Sequence, residues 1–345
     1  MIYGANGYTG SLIAREARRR GLKPILGGRN REAISAMGKE LGMETRIFAC
    51  DTGSPEEIAK GLEGIELVLH CAGPFSATSA SMLEGCLKTK THYLDITGEI
   101  SVFENIHGQS ERIKKAGIVA IPGVGFDVVP TDCLAAILKE ALPDATSLAL
   151  AFKSSGGISP GTAKTMVEGL GEGGAVRKDG KITRVPTAYK TRTIVFEHAP
   201  RLAVTIPWGD VSTAYHSTGI PNVETYIATT PTAVRAMKAL NSISAVLKVP
   251  VVQIGLKKIA QVSAKGPTEE QLNRLHCVIW GEACNAEKRV EMRLTVPEGY
   301  ALTRDSSLAA VERVLRGDVK PGAWTPSKAF GSRYVMELGG TILPP

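Results

Sequence analysis

Through the first third of the chain, short apolar runs alternate with longer amphipathic stretches. Met1–Tyr3, Pro24–Gly28, Thr45–Cys50, Leu67–Cys71, Tyr93–Thr97 and Ile118–Pro122 are brief runs bounded by glycine, proline or polar residues. Leu67-Val68-Leu69-His70-Cys71 is apolar almost throughout, as a strand buried on both faces should be. The intervening stretches carry helix signals. The first, from about Gly10 to Arg20, places Leu12, Ile13 and Ala17 on one face, ends in three arginines and stops at Gly21. Ser54-Pro55-Glu56-Glu57 reads as a capping box with proline in the first turn, and Ser101 to Glu104 as a second box. Six such alternations predict a doubly wound parallel sheet with ligands at the carboxyl ends of its strands.

After Leu142 the period drops to two. Ala145–Lys153, Thr191–Glu197, Val223–Thr229, His276–Glu282 and Lys288–Val296 read as strands; in the last, Val290, Met292 and Leu294 alternate with Arg289, Glu291, Arg293 and Thr295. The expected fold class is α/β: a Rossmann-type doubly wound parallel sheet with a second α+β domain built on a mostly antiparallel sheet. The exposed face of that second sheet is either solvated or buried against a second copy of the chain, a homodimer. The domain limits expected are 1–135 for cofactor binding, 136–303 for substrate and dimerisation, and 304–345 for a tail. In that tail Leu308, Val311 and Leu315 share one helical face.

Length agrees with two domains, since 345 residues exceed one comfortable core. Hydrophobic residues at 43% and charged residues at 22% are ordinary for a soluble globular protein. The formal charge of +7 favours anionic ligands but does not choose among cofactor phosphates, acyl-CoA, membranes and nucleic acids. The six cysteines form no CxxC pair and read as reduced thiols of a cytoplasmic protein; the histidines show no ligand spacing, so no metal is expected. No signal peptide and no bilayer-spanning run is present.

The chemistry begins at Gly4-Ala5-Asn6-Gly7-Tyr8-Thr9-Gly10. Three glycines spaced three apart, between a strand and a helix start, suit a tight turn, close approach of a ligand and close helix packing, with the helix N-terminus facing a pyrophosphate. At the end of the second strand Gly28, Arg29 and Asn30 stand where an NAD site usually carries an acidic residue. A fixed cation there suits a 2′-phosphate, so NADP(H) is the expected cofactor. Asp51 would face the adenine. Cys71-Ala72-Gly73-Pro74-Phe75 would pass the nicotinamide ribose, and Gly98, Gly125 and Phe126 complete the expected cofactor set.

A nicotinamide cofactor implies hydride transfer, in which the protein positions the acceptor and supplies a proton. No tyrosine is followed four residues later by lysine, and Tyr300 with Arg304 comes closest, so a short-chain-type carbonyl reduction is not expected. A C=N or C=C acceptor fits better. The candidate catalytic groups are Asp127, Asp95 and Glu99. Each has a bland alternative: Asp127 as a cap for the helix opening at Pro130 to Asp132, Asp95 as a structural hydrogen-bond acceptor, and His70 nearby as a core histidine.

Together GANGYTG, GGR, CAGPF, YLDITGE and GFDVVPTD resemble the saccharopine dehydrogenase-like NADP-dependent reductases, a family that includes trans-acting enoyl reductases. The likeness is specific over the first 135 residues and looser in Gly156–Leu170 and Trp324–Gly331. It implies an NADPH-dependent reductase acting on a small molecule, with a tail that packs back on the cofactor domain. Two departures stand out: only three residues precede Gly4, which reads as a late start, and Asn6 replaces an expected threonine.

Two stretches stay open. Ser154 to Thr162 opens a helix whose N-terminus could hold a substrate anion or carry an ordinary Ser/Thr cap. Thr225–Thr268 has no acidic residue while Arg235, Lys238, Lys248, Lys257, Lys258 and Lys265 are spread among apolar residues; it reads as a packed helix pair with a solvated face, or as peripheral membrane contact. Two alternatives to the reductase follow: a membrane-peripheral lipid enoyl reductase and a non-catalytic NADP sensor.

Overall fold

Six strands of two to four residues make the first sheet: β1 (Ile2–Tyr3), β2 (Leu26–Gly28), β3 (Thr45–Ile47), β4 (Leu67–His70), β5 (His92–Asp95) and β6 (Val119–Ile121). They pair in parallel in the order β6-β5-β4-β1-β2-β3, and Gly322–Ala323 from late in the chain adds a seventh strand beside β6. In this computed structural model the described residues are 1–51, 53–154, 156–247 and 249–344. They divide into two units, Met1–Asp127 with Leu302–Phe330, and Val128–Ala301 with Gly331–Pro345.

The parallel strands alternate between two cores. Ile2, Leu67, Leu69, Leu94, Val119 and Ile121 point into one core, with Ile13 and Ala17 of helix α1 (Tyr8–Arg19) and Ile34 and Met37 of α2 (Arg31–Leu41). Tyr3, Val68, Tyr93 and Ala120 point into the other, with Ile58 and Leu62 of α3 (Pro55–Leu62), Met82 and Leu83 of α4 (Phe75–Thr89), Val102 and Ile106 of α5 (Ile100–Gly108), and Ile113 of α6 (Ser110–Ala116). Helices on both faces are why β4 is apolar at every position but its last. The arginines closing α1 also have a target: Arg19 and Arg20 donate to Glu16, which is buried and held at about pH 2 by those hydrogen bonds.

One of the two local capping expectations differs from the structure. Ser54 forms the predicted capping box with Glu57. Ser101 does not, because α5 starts two residues earlier than that box requires, with Glu99 at its N-cap and no side-chain cap bond. The first compact unit's opening segment ends at Asp127, and Leu134 and Leu138 of α7 (Val129–Ala141) press on Gly281 in the second sheet. The tail is shared: residues 302–330 belong with the parallel sheet, and Thr341–Leu343 pairs in the second sheet.

The second unit contains β7 (Ser147–Lys153), α8 (Pro160–Gly169), β8 (Gly174–Lys178), β9 (Lys181–Val185), β10 (Thr191–Val195), β11 (Pro200–Thr205), α9 (Asp210–Thr218) and β12 (Asn222–Ala228). Next come α10 (Pro231–Leu240), α11 (Ser244–Leu247), α12 (Pro250–Ser263), α13 (Glu269–Arg274), β13 (His276–Cys284) and β14 (Arg289–Pro297). Its main sheet runs β10-β11-β12-β7-β13-β14 and on to Thr341–Leu343, antiparallel except for β12 beside β7. The hairpin β8–β9, not expected from the sequence, turns at Asp179-Gly180 with φ of +48° and +77°, the Asp-Gly signature of a two-residue hairpin. Lys248 and the side chains of Lys257 and Lys258 lie outside the described residues.

Candidate cofactor site

Gly4 has φ +83°, and a Cβ on it would stand 2.8 Å from the Ala72 nitrogen, so the turn after β1 and the loop after β4 touch backbone to backbone. A Cβ on Gly10 would come within 2.3 Å of the Gly4 carbonyl oxygen; that glycine lets α1 sit directly on the turn. Gly7 is the N-cap of α1 and no side chain caps the helix, while Asn6 and Gly7 are exposed. The first-turn N–H groups and the positive helix end therefore fit a phosphate. Tyr8 and Thr9 open that helix, half-buried.

Asn6 also faces the neighbouring strand end, its Oδ1 lying 3.4 Å from the Cβ position of Gly28. One residue on, the Arg29 guanidinium pairs with Asp51 and stays largely exposed. The pair joins the ends of β2 and β3 and leaves a cation at the place where a 2′-phosphate would be read. Asn30 is occupied structurally, as the N-cap of α2, accepting from Ala33 N–H at 3.0 Å.

The loop Cys71-Ala72-Gly73-Pro74-Phe75 is shaped by Thr78 and Glu99. The Thr78 hydroxyl donates to the carbonyls of Ala72 and Pro74, so at its 2.9 Å contact with His70 the histidine Nε2 must be the donor. His70 is fully buried with no partner on Nδ1, and burial pushes it down to about 3, so it is neutral. Glu99, named from the sequence as a catalytic candidate, accepts from the N–H groups of Phe75 and Ser76 at 2.8 Å each. Its carboxylate caps α4, a helix with no other side-chain cap.

Asp95 and Asp127 separate clearly. Asp95 is fully buried and accepts from Tyr93 Oη at 2.6 Å, Thr97 N at 3.0 Å and Gly123 N at 2.9 Å, with burial pushing it up to about 6. It holds the β5 loop to the β6 loop, the structural alternative stated for it. Asp127 has no hydrogen bond or ion pair among the described residues, and α7 begins at an N-cap, Val128, without a side-chain cap. Its Oδ2 lies 2.6 Å from the Cβ position of Gly98. Part of its surface is open, yet dense surroundings push the carboxyl up to about 7.

Gly125 and Phe126 are placed by residues the sequence did not single out. Phe126 N–H donates to Thr303 Oγ1 at 2.9 Å, a Cβ on Gly125 would meet Thr303 Cγ2 at 2.8 Å, and Ser306 Oγ donates to the Val124 carbonyl at 2.6 Å. The available signal was a pair of small hydroxyl residues one turn apart on a helix. Contacts thus run without a break along the carboxyl edge of the sheet, from Asp51 and Arg29 through Asn6, Gly4 and Ala72 to Phe75, Glu99, Gly98 and Asp127.

In the second unit the helix α8 is capped by Ser159, and Tyr300 Oη accepts from Ser159 N at 2.6 Å and contacts Thr162 Oγ1 at 2.9 Å. The Ser/Thr cap is the alternative realised there. Asp132 accepts from Ser217 within the same unit. Among the described residues no group of three His, Cys, Asp or Glu side chains could hold a metal, and no helix is long and apolar enough to cross a membrane.

The parallel sheet, the glycine turn and the row of loops along the sheet's carboxyl edge give the first unit the architecture of a dinucleotide-binding domain. Residues 1–121 match the family model described as saccharopine dehydrogenase NADP binding domain. The chain is 24% identical over 202 residues to a saccharopine dehydrogenase-like oxidoreductase of Mus musculus, a match covering 52% of this chain and 47% of that protein. It is 28% identical over 184 residues, 49% of this chain and 43% of the relative, to a protein named as a trans-acting enoyl reductase of Mycobacterium tuberculosis. These matches span about half the length of the curated relatives. In fold the whole chain is similar to saccharopine dehydrogenase (L-Glu forming) of Saccharomyces cerevisiae, with TM-score 0.66, 13% identity and 99% of each chain covered.

Proposed function

We propose that the chain is an NADPH-dependent reductase that delivers hydride to an electrophilic double bond, C=N in an imine or C=C in an enoyl acceptor. The observation that carries this is Asp127: a carboxyl without a partner, held at about pH 7 by burial, in the loop after β6. Buried carboxyls with no structural duty are costly, and an acid titrating near neutrality is suited to general acid–base work. NADPH, when bound, supplies the hydride. In our proposal the uncapped start of α1 and the Gly4–Gly10 turn take its pyrophosphate, Arg29 takes its 2′-phosphate, and the Ala72–Phe75 loop flanks its nicotinamide end. Asp127 gives a proton to the reduced acceptor, and Asp95 and Glu99 hold the loops that place it. Thiols that are buried or half-buried, in a chain without CxxC spacing, suit the reducing cytoplasm.

The test is NADPH oxidation in single turnover, offered an amino acid with an oxo acid in one series and an enoyl thioester in the other. Turnover in either series that falls about a hundredfold in Asp127→Asn supports the proposal. Tight NADPH binding with no oxidation in both series would leave an NADP sensor as the function.

A further inference from the structure

Helix α12 exposes part of its apolar side. One of its polar residues, Gln253, faces inward, Nε2 donating to the Leu247 carbonyl at 2.7 Å and the Val167 carbonyl at 3.2 Å. Three of its aliphatic residues face solvent: Val251 is 77% exposed, Ile259 66% and Ile254 57%. At 100° per residue these three and the exposed Gly255 fall on one side of the helix. Val246 on α11 and Met166 on α8, a helix that packs against α12, are more than half exposed as well. A cluster of this kind, on one face and with a polar residue turned inward, marks a surface that meets something apolar.

The charges nearby say what that is. From Thr225 to Thr268 the chain has six lysines and arginines and no acidic residue. A second copy meeting this stretch with the same stretch about a twofold axis would bring like charges together. An anionic bilayer offers the complementary pair, phosphate and carboxylate headgroups for the cations and acyl chains for the aliphatics. At fourteen residues α12 is too short to span the hydrocarbon core, so the fitting geometry is a helix lying in the interface.

We infer that the outward face of α12, with Val251, Ile254 and Ile259 at its centre, docks the protein on anionic phospholipid membranes. The experiment is co-sedimentation with large unilamellar vesicles of phosphatidylcholine containing roughly one-third phosphatidylserine, against vesicles of phosphatidylcholine alone. The expected result is binding to the anionic vesicles only, weakened by salt and reduced about tenfold or more in Val251→Glu/Ile254→Glu. Lys257→Gln/Lys258→Gln should weaken it by roughly fivefold per lysine. NADPH titration of both variants, expected unchanged, shows that each is folded and keeps the result separate from that of the reductase proposal. Failure to bind, or equal binding to both vesicles, overturns the inference. So does a dimer in light scattering that becomes a monomer in Val251→Glu/Ile254→Glu, which would give the face to a second copy.

Discussion

The Oδ2 atom of Asp127 occupies the space a side chain on Gly98 would need, 2.6 Å from the Cβ position of that glycine. The loops after β5 and after β6 thus approach closely at this point, which only a glycine at 98 allows. Gly98→Ala should push Asp127 out of place while leaving the distant pyrophosphate turn intact. The expected outcome is unchanged NADPH affinity with a rate of acceptor reduction lower by about ten- to a hundredfold. Equal loss of binding and rate would show that the β5 loop serves the cofactor instead.

The protonation of Asp127 sets a pH dependence. Reduction needs the acid form, so activity should be full below neutrality and fall as pH rises through about 7. Asp127→Asn should remove that limb, leaving a low, flat profile.

Stability should follow the same group with a definite sign. The folded carboxyl titrates near 7 and the unfolded one near 3.8, so between those values the folded state holds more protons. Its contribution is complete below about pH 4 and lost as pH rises through about 7. Asp127→Asn, which has no charge to bury, should be more resistant to urea than the parent at pH 8 and nearly equal to it at pH 4. A parent that gains stability from pH 4 to pH 8 relative to the variant would contradict this.

Arg29 is restrained by Asp51, and the pair makes two opposite predictions. Arg29→Ala should cost about tenfold in NADPH affinity, about 1.4 kcal/mol, with NADH unaffected. Asp51→Asn should release the guanidinium and raise the preference for NADPH. Fluorescence titration of both cofactors reads each change directly.

Glu99 should behave as a cap. Glu99→Ala removes two charge-assisted bonds from the start of α4, with an expected loss of about 1–3 kcal/mol in urea unfolding. The pH profile of the remaining activity should keep its shape. A shifted acid limb would return Glu99 to the chemistry.

Much of this was legible in the sequence because it depends on neighbours along the chain. The Gly4–Gly10 turn, the strand alternation, the Ser54 box and the period of β14 are set by backbone freedom, side-chain periodicity and local hydrogen bonds, all of which act within a few residues. The hairpin at Asp179-Gly180 was as readable and was not read, because its strands are short and only partly apolar. Ser101 shows the limit of a local motif: the box residues are present, but the chain enters α5 earlier, because Glu99 is drawn to the N–H groups of Phe75 and Ser76, 23 and 24 residues away.

By itself, then, the sequence determined the class of fold and the glycine turn between β1 and α1. Only the tertiary structure shows which carboxylates are hydrogen-bonded. Asp95, Glu99 and Asp127 look alike in sequence, since each lies at or just past the end of a strand. What separates them is which N–H and O–H donors reach them: Tyr93, Thr97 and the distant Gly123 reach Asp95, two distant N–H groups reach Glu99, and none among the described residues reaches Asp127. Likewise only the fold turns Gln253 inward and Val251 outward on α12, because which side of a helix meets its own protein is settled by the elements packed against it and not by the helix's own pattern.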